Sequence, residues 1–168
     1  MNEEFLKETN PKVLMKIKDY GDLEIEIFKD IAPITAKNFL ELVDNKFYDG
    51  LTFHRIIENF MIQGGDPLGN GTGGSDEEII GEFASNGYKN PIKHTEGVIS
   101  MARSNKPNSA SSQFFIMHKD APHLDGSYAA FGMVTKGYEI VDKIAKVRTN
   151  FYDMPLKKVV IESVRRIK

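Results

Sequence analysis

The 168-residue chain carries 22 basic and 24 acidic side chains, four histidines and no cysteine. This balance offers no basic footprint for nucleic acid and no polybasic attraction to a membrane. The missing thiols exclude a disulfide framework, a thiolate zinc site and a cysteine nucleophile.

Residues 1–11 are polar, end in Asn10-Pro11 and are expected to form a loosely held N-terminal extension ahead of one domain over 12–168. The start Met1-Asn2-Glu3-Glu4 has no basic n-region and no apolar core. No apolar run approaches the roughly 20 residues of a spanning helix, so a soluble, cytoplasmic protein is expected. Val13, Met15 and Ile17 then alternate with lysines, and after a turn at Tyr20-Gly21-Asp22 so do Leu23, Ile25 and Ile27 with Glu24 and Glu26. That period of two predicts an antiparallel hairpin with one wet face.

A helix is expected from Pro33 to Val43. Proline suits its first position because the missing N–H has no partner there, and Ala36, Phe39, Leu40 and Val43 follow at helical spacing. The stretch from Gly64 to Lys93 is rich in glycine, asparagine and acidic residues and reads as long surface loops. A second, short helix is expected over Tyr138–Lys146 with Val141, Ile144 and Ala145 inward, and Lys158–Val164 reads as a well-buried strand. Two helices among many short strands predict a mainly β domain, a barrel or sandwich closed by helices. Strands at both chain ends would pair conveniently in a closed barrel, which leaves no sheet edge.

Several patterns resemble chemistry without supporting it. Gly69, Gly71 and Gly74 satisfy the G-x-G-x-x-G spacing, but Asp76, Glu77 and Glu78 follow where a pyrophosphate would sit, and no helical stripe does. A turn-rich loop needing positive φ accounts for these glycines. His54, His94, His118 and His123 have no ligand spacing, no serine lies in a G-x-S-x-G elbow, and neither a metal nor another cofactor is expected.

Three segments carry more information: Phe53 to Asp66, Ser100 to Ile116 and His123 to Gly132. Strand alternation puts Met61 with Gln63 and Gln113 with Phe115, each pair an apolar side chain beside a carboxamide. It also puts Arg55 on one face with Phe53 and Ile57. Two readings follow: a shallow pocket mixing arginine, amides, Met and Phe, or an arginine that snorkels at a rim with its amides in water.

The strings F-H-R-I-I-x-x-F-M-x-Q-G-G-D, starting at Phe53, and S-x-Q-F-F-I, starting at Ser111, resemble those of cyclophilins. So do N-G-T-G-G from Asn70, the Leu124-Asp125-Gly126 turn, F-G-x-V from Phe131 and A-P-x-T-A-x-N-F over Ala32–Phe39. The resemblance covers roughly residues 12 to 167, and its details are closest to the small single-domain bacterial type. It implies a closed eight-stranded antiparallel β-barrel capped by two α-helices. It also implies peptidyl-prolyl cis/trans isomerase activity on proline-containing peptides and on unfolded or folding proteins, by a protein working as a monomer. Carried over by position, Arg55 is the catalytic arginine and Gln63 its polar partner. Phe60, Met61, Phe115 and Leu124 form the proline pocket, Gln113 is a second polar groove residue, and Ala102 and Arg103 lie on the strand that holds the substrate backbone. Arg103 stands where Asn is common, His123 where Trp is, and Tyr128 where His is. The last two are expected at the pocket rim, where they weaken cyclosporin binding more than turnover. A proline-peptide-binding holdase is the other class of function, and the intact Arg55 favours the isomerase.

Overall fold

The computed structural model describes residues 2–168. Its strands and helices run in the order β1 (Lys12–Ile17), β2 (Gly21–Ile27), α1 (Pro33–Asp44), β3 (Phe53–Ile57), β4 (Met61–Gly64), β5 (Val98–Met101), β6 (Phe114–Met117), β7 (Ala130–Lys136), α2 (Tyr138–Ala145) and β8 (Ile161–Arg166). All eight strands join one antiparallel sheet in the order β3-β4-β6-β5-β7-β2-β1-β8. The expected hairpin is β1–β2, and the two ends of the chain pair as β1–β8.

The sheet curls until β3 and β8 face each other, but no strand pair closes it. The seam is one bridge, Thr52–Val160, with backbone bonds from Gly50 N–H to Ile161, Ile161 N–H to Leu51 and Phe53 N–H to Val159. The expected closed barrel is therefore corrected to a curled sheet with an irregular seam. The same fact moves the last strand. The apolar run read as one strand over 158–164 divides its work: Val159 and Val160 bond across the seam, and regular pairing starts only at Ile161 and continues to Arg166.

Adjacent residues of the central strands fall into two separate apolar clusters, as strand alternation requires. Ile62, Phe114, Ile116, Ile99 and Phe131 belong to the cluster enclosed by the curl, together with Phe39 and Val43 of α1 and Val141 and Ile144 of α2. Their neighbours Met61, Phe115, Met117, Val98 and Ala130 belong to a smaller cluster on the opposite face. The sequence-named apolar residues lie on this second face, to which neither α1 nor α2 contributes a side chain.

Residues 2–11, set apart in the sequence as an extension, contain a 3-10 turn at Glu3–Phe5. Asn2 is buried and bonds Lys93 and Thr95, while Asn10 and the Lys7 N–H both reach the buried Glu26 carboxylate. The loops between Gly64 and Lys93 lack strands, as expected, but they are not only surface: Asp66, Glu82, Phe83 and Ile92 are buried.

Candidate active site

β3 has a bulge. Phe53 pairs with Gly64 and Arg55 with Gln63, so His54 is an extra residue on one side of the ladder. The extra residue inverts the alternation. Phe53 packs inside the curl, while Arg55 is exposed on the other face beside the partly buried Ile57. The expected shared face of Phe53, Arg55 and Ile57 is thus corrected for Phe53. The bulge is what aims Arg55 away from the core.

Pairing then lines up the site. Gln63 stands opposite both Arg55 on β3 and Phe115 on β6, and Phe115 stands opposite Ser100 on β5. The result is a groove of about 340 Å³. Its apolar floor is Met61, Phe115 and Leu124, each at most 7% exposed, with the ring of Phe60 at one side. Arg55, Gln63, Ala102, Arg103 and Tyr128 complete the wall from the sequence-named set. Gln113 lines an adjoining recess of about 380 Å³ instead, which shares Gln63, Gly71, Ala102 and Arg103 with the groove. His123 lines neither; it is exposed and rests against Phe60 with ring centroids 5.7 Å apart.

A directed hydrogen-bond chain orients the polar side. The Gln113 amide donates to the Gly73 carbonyl at 2.8 Å, so its own oxygen is left to accept from Gln63 Nε2 at 3.0 Å. That in turn points Gln63 Oε1 at the Arg55 guanidinium, 3.4 Å away. The anchor, Gly73, belongs to the loop that mimics a nucleotide motif. Gly69 and Gly71 have φ of +68° and +90°, as a turn-rich loop needs, and Gly73 serves differently, because a Cβ there would run into the Asp66 carboxylate. Burial acts to raise the Asp66 pKa, but the N–H groups of Leu68, Gly73, Asn70 and Gly71 outweigh it and hold the carboxyl below its usual range. The loop thus wraps a buried carboxylate and fixes the far end of the Arg55 chain.

Phe60 is set by a second device. Asn59, in the left-handed region with φ +66°, donates its N–H to His118 Nδ1 at 2.8 Å, and His118 Nε2 donates to Asp142 of α2 at 2.7 Å. The His118 N–H bonds the Phe60 carbonyl, and Tyr138 bonds the His118 carbonyl. The β3–β4 turn is therefore tied to α2.

Arg103 is a departure with a structural use. Its Nε and Nη2 both donate to the Ser127 carbonyl at 3.1 and 2.6 Å, Nη1 donates to Ser104, and the guanidinium lies between the rings of Phe83 and Tyr128, 4.8 and 4.6 Å from their centroids. Tyr128 in turn meets Phe115 edge-on. A planar fork can grip one carbonyl twice and stack on two rings, and an ammonium cannot. Arg103→Lys is therefore expected to raise KM for a proline peptide about threefold to tenfold with kcat little changed, since the rim loosens while Arg55 is untouched. Steady-state kinetics measure this, and an unchanged KM would show that the sandwich does not shape the groove.

Five groove residues, His54, Asn70, Gly71, Tyr152 and Met154, are not among the candidates the sequence names. His54 is buried, and desolvation first, with the Arg55 charge, lowers its pKa despite the opposing pull of Asp66. Its place beside Arg55 in the motif was the available sign. Gly71 sits in the loop dismissed as a turn. Tyr152 and Met154 come from a distant loop, and no local pattern connects them to Arg55. Among the described residues, no three His, Asp or Glu side chains are grouped to hold a metal, and no helix is long and apolar enough to cross a membrane.

The chain thus combines an eight-stranded curled sheet and two helices with a shallow groove that holds an arginine over an apolar floor. The family model for cyclophilin-type peptidyl-prolyl cis-trans isomerases matches residues 12–166, and the chain belongs to that family. A peptidyl-prolyl cis-trans isomerase of Acinetobacter baylyi is 47% identical over 150 residues, covering 86% of this chain and 77% of that one. The isomerase CYP18-1 of Arabidopsis thaliana is 44% identical over 145 residues, covering 86% and 89%. In three dimensions the chain is similar to a cyclophilin-type isomerase of Cryptosporidium parvum solved in the presence of the dipeptide Ala-Pro. The TM-score is 0.86 at 32% identity, over 94% of this chain and 99% of that one. The protein is a peptidyl-prolyl cis/trans isomerase.

Proposed function

We propose that the groove catalyses rotation about X–Pro bonds without covalent chemistry, with Arg55 as the catalytic group and Gln63 as its orienting partner. Twisting a peptide bond costs about 18–20 kcal/mol because resonance is lost. As the bond twists, the proline nitrogen regains a lone pair that the planar ground state does not offer. A donor that meets this lone pair helps only the transition state, which is the condition for acceleration. A guanidinium supplies such donors in a fixed fork, and Met61, Phe115 and Leu124 supply an apolar seat for the ring. Phe60, Ala102, Arg103 and Tyr128 flank the seat as walls and rim, with Gln113 in the adjoining recess and His123 outside it against Phe60. The single observation that carries the reading is Arg55, held by Gln63, over that buried apolar floor.

The substrates on this reading are proline-containing peptides and unfolded or folding proteins; the Ala-Pro dipeptide present with the Cryptosporidium parvum relative supports it. With it go an isomerase domain over 12–168 preceded by an extension, supported by the family match from residue 12, and a monomer working in the cytoplasm. Magnetisation-exchange NMR on a short Ala-Pro peptide tests the function. Faster cis/trans exchange with substoichiometric protein supports it, whereas binding without faster exchange would leave a holdase.

Cyclosporin is expected to bind weakly. His123 covers less apolar area than an indole, and its polar edge must be desolvated when an apolar ligand lands. His123→Trp is expected to tighten cyclosporin about tenfold, the equivalent of roughly 1.4 kcal/mol, with little effect on turnover, because the ring lies outside the floor. Calorimetry on both proteins reads this, and equal affinities would mean that the rim at Phe60 is outside the drug's footprint.

A further inference from the structure

The segment 148–157 is built as a stiff hairpin whose tip is apolar. Thr149 and Pro155 form a bridge, and Leu156 N–H bonds the Arg148 carbonyl. Asn150 Oδ1 accepts from the N–H groups of both Tyr152 and Met154, and the Asn150 main chain exchanges bonds with Met154 and Asp153. Asp153 occupies the left-handed region at φ +61°, and its carbonyl accepts the Ile56 N–H of β3 at 2.8 Å, directly beside Arg55. This hairpin presents Phe151 at 104% exposure, Tyr152 at 84% and Leu156 at 67%. Neither ring belongs to a buried apolar cluster, yet the backbone that displays them is held by these bonds. Large apolar side chains fixed in water mark a contact surface.

What that surface contacts follows from continuity. Tyr152 and Met154 also line the groove with Arg55, so the hairpin adjoins the proline seat through Tyr152, with Phe151 and Leu156 exposed on the same hairpin. We propose that the 148–157 hairpin is an accessory binding shelf for the substrate chain, selecting unfolded segments with an aromatic or large aliphatic side chain within a few residues of the proline. This rests on the isomerase reading of the groove and adds a substrate preference to it. An extended chain advances about 3.3–3.6 Å per residue, so a segment seated at the floor necessarily passes over its rim within a few positions. A Phe or Leu there covers the tip from water, and a Ser does not.

The test uses the full chain, a short Ala-Pro peptide, and two longer peptides with Phe or Ser at the flanking positions. Titration by NMR reads affinity, and exchange NMR reads turnover. Wild type is expected to bind the Phe-flanked peptide about fivefold to tenfold more tightly than the Ser-flanked one. Phe151→Ser/Leu156→Ser should abolish that ratio while leaving turnover of the short peptide and the melting temperature unchanged. Equal affinities for the two long peptides in wild type, or a ratio that survives in the variant, overturns the proposal. So does either competing occupant: a concentration-dependent dimer by sedimentation that the variant loses, or binding of the tip to phosphatidylcholine or phosphatidylserine vesicles. Failure of wild type to turn over the short peptide would refute the isomerase reading instead, and the affinity ratio would still decide on the shelf.

Discussion

Arg55→Ala is expected to lower kcat/KM on a proline peptide by about a hundredfold or more while the protein melts as wild type does. The rate side follows from where the guanidinium acts. A preorganised donor that meets charge developing only in the transition state is worth about 10²–10³ in rate when removed. The loss should fall on kcat more than KM, because ground-state binding is left to the apolar floor. The stability side follows from exposure: Arg55 lies on the outer face beyond the β3 bulge, and its side-chain bond to Gln63 is long, at 3.4 Å. Exposed substitutions of this kind usually shift stability by no more than about 0.5 kcal/mol. Arg55→Lys keeps the charge and loses the fork, and is expected to recover only part of the rate. The wild-type profile should be flat from about pH 7 to 9, since no proton is transferred and burial keeps His54 neutral there. Exchange NMR beside a thermal melt measures both sides. Near-wild-type turnover in Arg55→Ala would end the proposed mechanism.

The hairpin and both helices were legible because each is local and periodic, whereas the β1–β8 pairing could be expected only from apolar strands lying at both chain ends. Pro33 with Ala36, Phe39, Leu40 and Val43 states a helix start and a buried stripe, and both are found. The family strings located the groove residues because those strings are contiguous on β3, β4 and β6. Three features escaped for physical reasons. The His54 bulge reverses alternation without any glycine or proline to announce it. The seam uses Val159 and Val160, whose apolar character is the same whether they pair in a ladder or across a gap. Tyr152 comes to the groove on a segment that bonds β3 through Asp153 and Ile56, a contact between segments about a hundred residues apart. The loops at 64–93 were misjudged in part, since their polarity looks like exposure when some of it is buried: Asp66 inside a ring of N–H groups, and Glu82 under a helix.

That second carboxylate carries a large expected stability effect for a single polar side chain. α1 begins at Ala32-Pro33, and Ala32 offers no capping group, so its first amides need an acceptor from elsewhere. Glu82 provides it from 47 residues away. Its carboxylate accepts the Thr35 N–H at 2.6 Å, the Thr35 hydroxyl at 2.7 Å and the Ile34 N–H at 3.2 Å, with the residue only 3% exposed. The negative charge also sits at the positive end of the helix. Glu82→Ala removes three bonds to a charged acceptor and leaves buried donors unpaired, which costs about 2–4 kcal/mol by the usual range for such groups. In a domain of this size that lowers the melting temperature by roughly 5–15 °C. Glu82→Gln keeps one oxygen acceptor but turns an NH₂ toward donors, and should fall between the two. The cost should reach the groove as well. The next residue, Phe83, is buried and is one of the two rings that hold Arg103, whose fork fixes the Ser127–Tyr128 rim. Loosening the Glu82 anchor therefore should raise KM for a proline peptide in the folded variant, in the same direction as Arg103→Lys. A double-mutant cycle with Thr35→Val isolates the hydroxyl bond, since that substitution keeps the Thr35 and Ile34 backbone donors. Additive losses in that cycle would mean that Glu82 does not bond the Thr35 hydroxyl in solution. A melting temperature unchanged in Glu82→Ala would mean that α1 needs no acceptor from this loop.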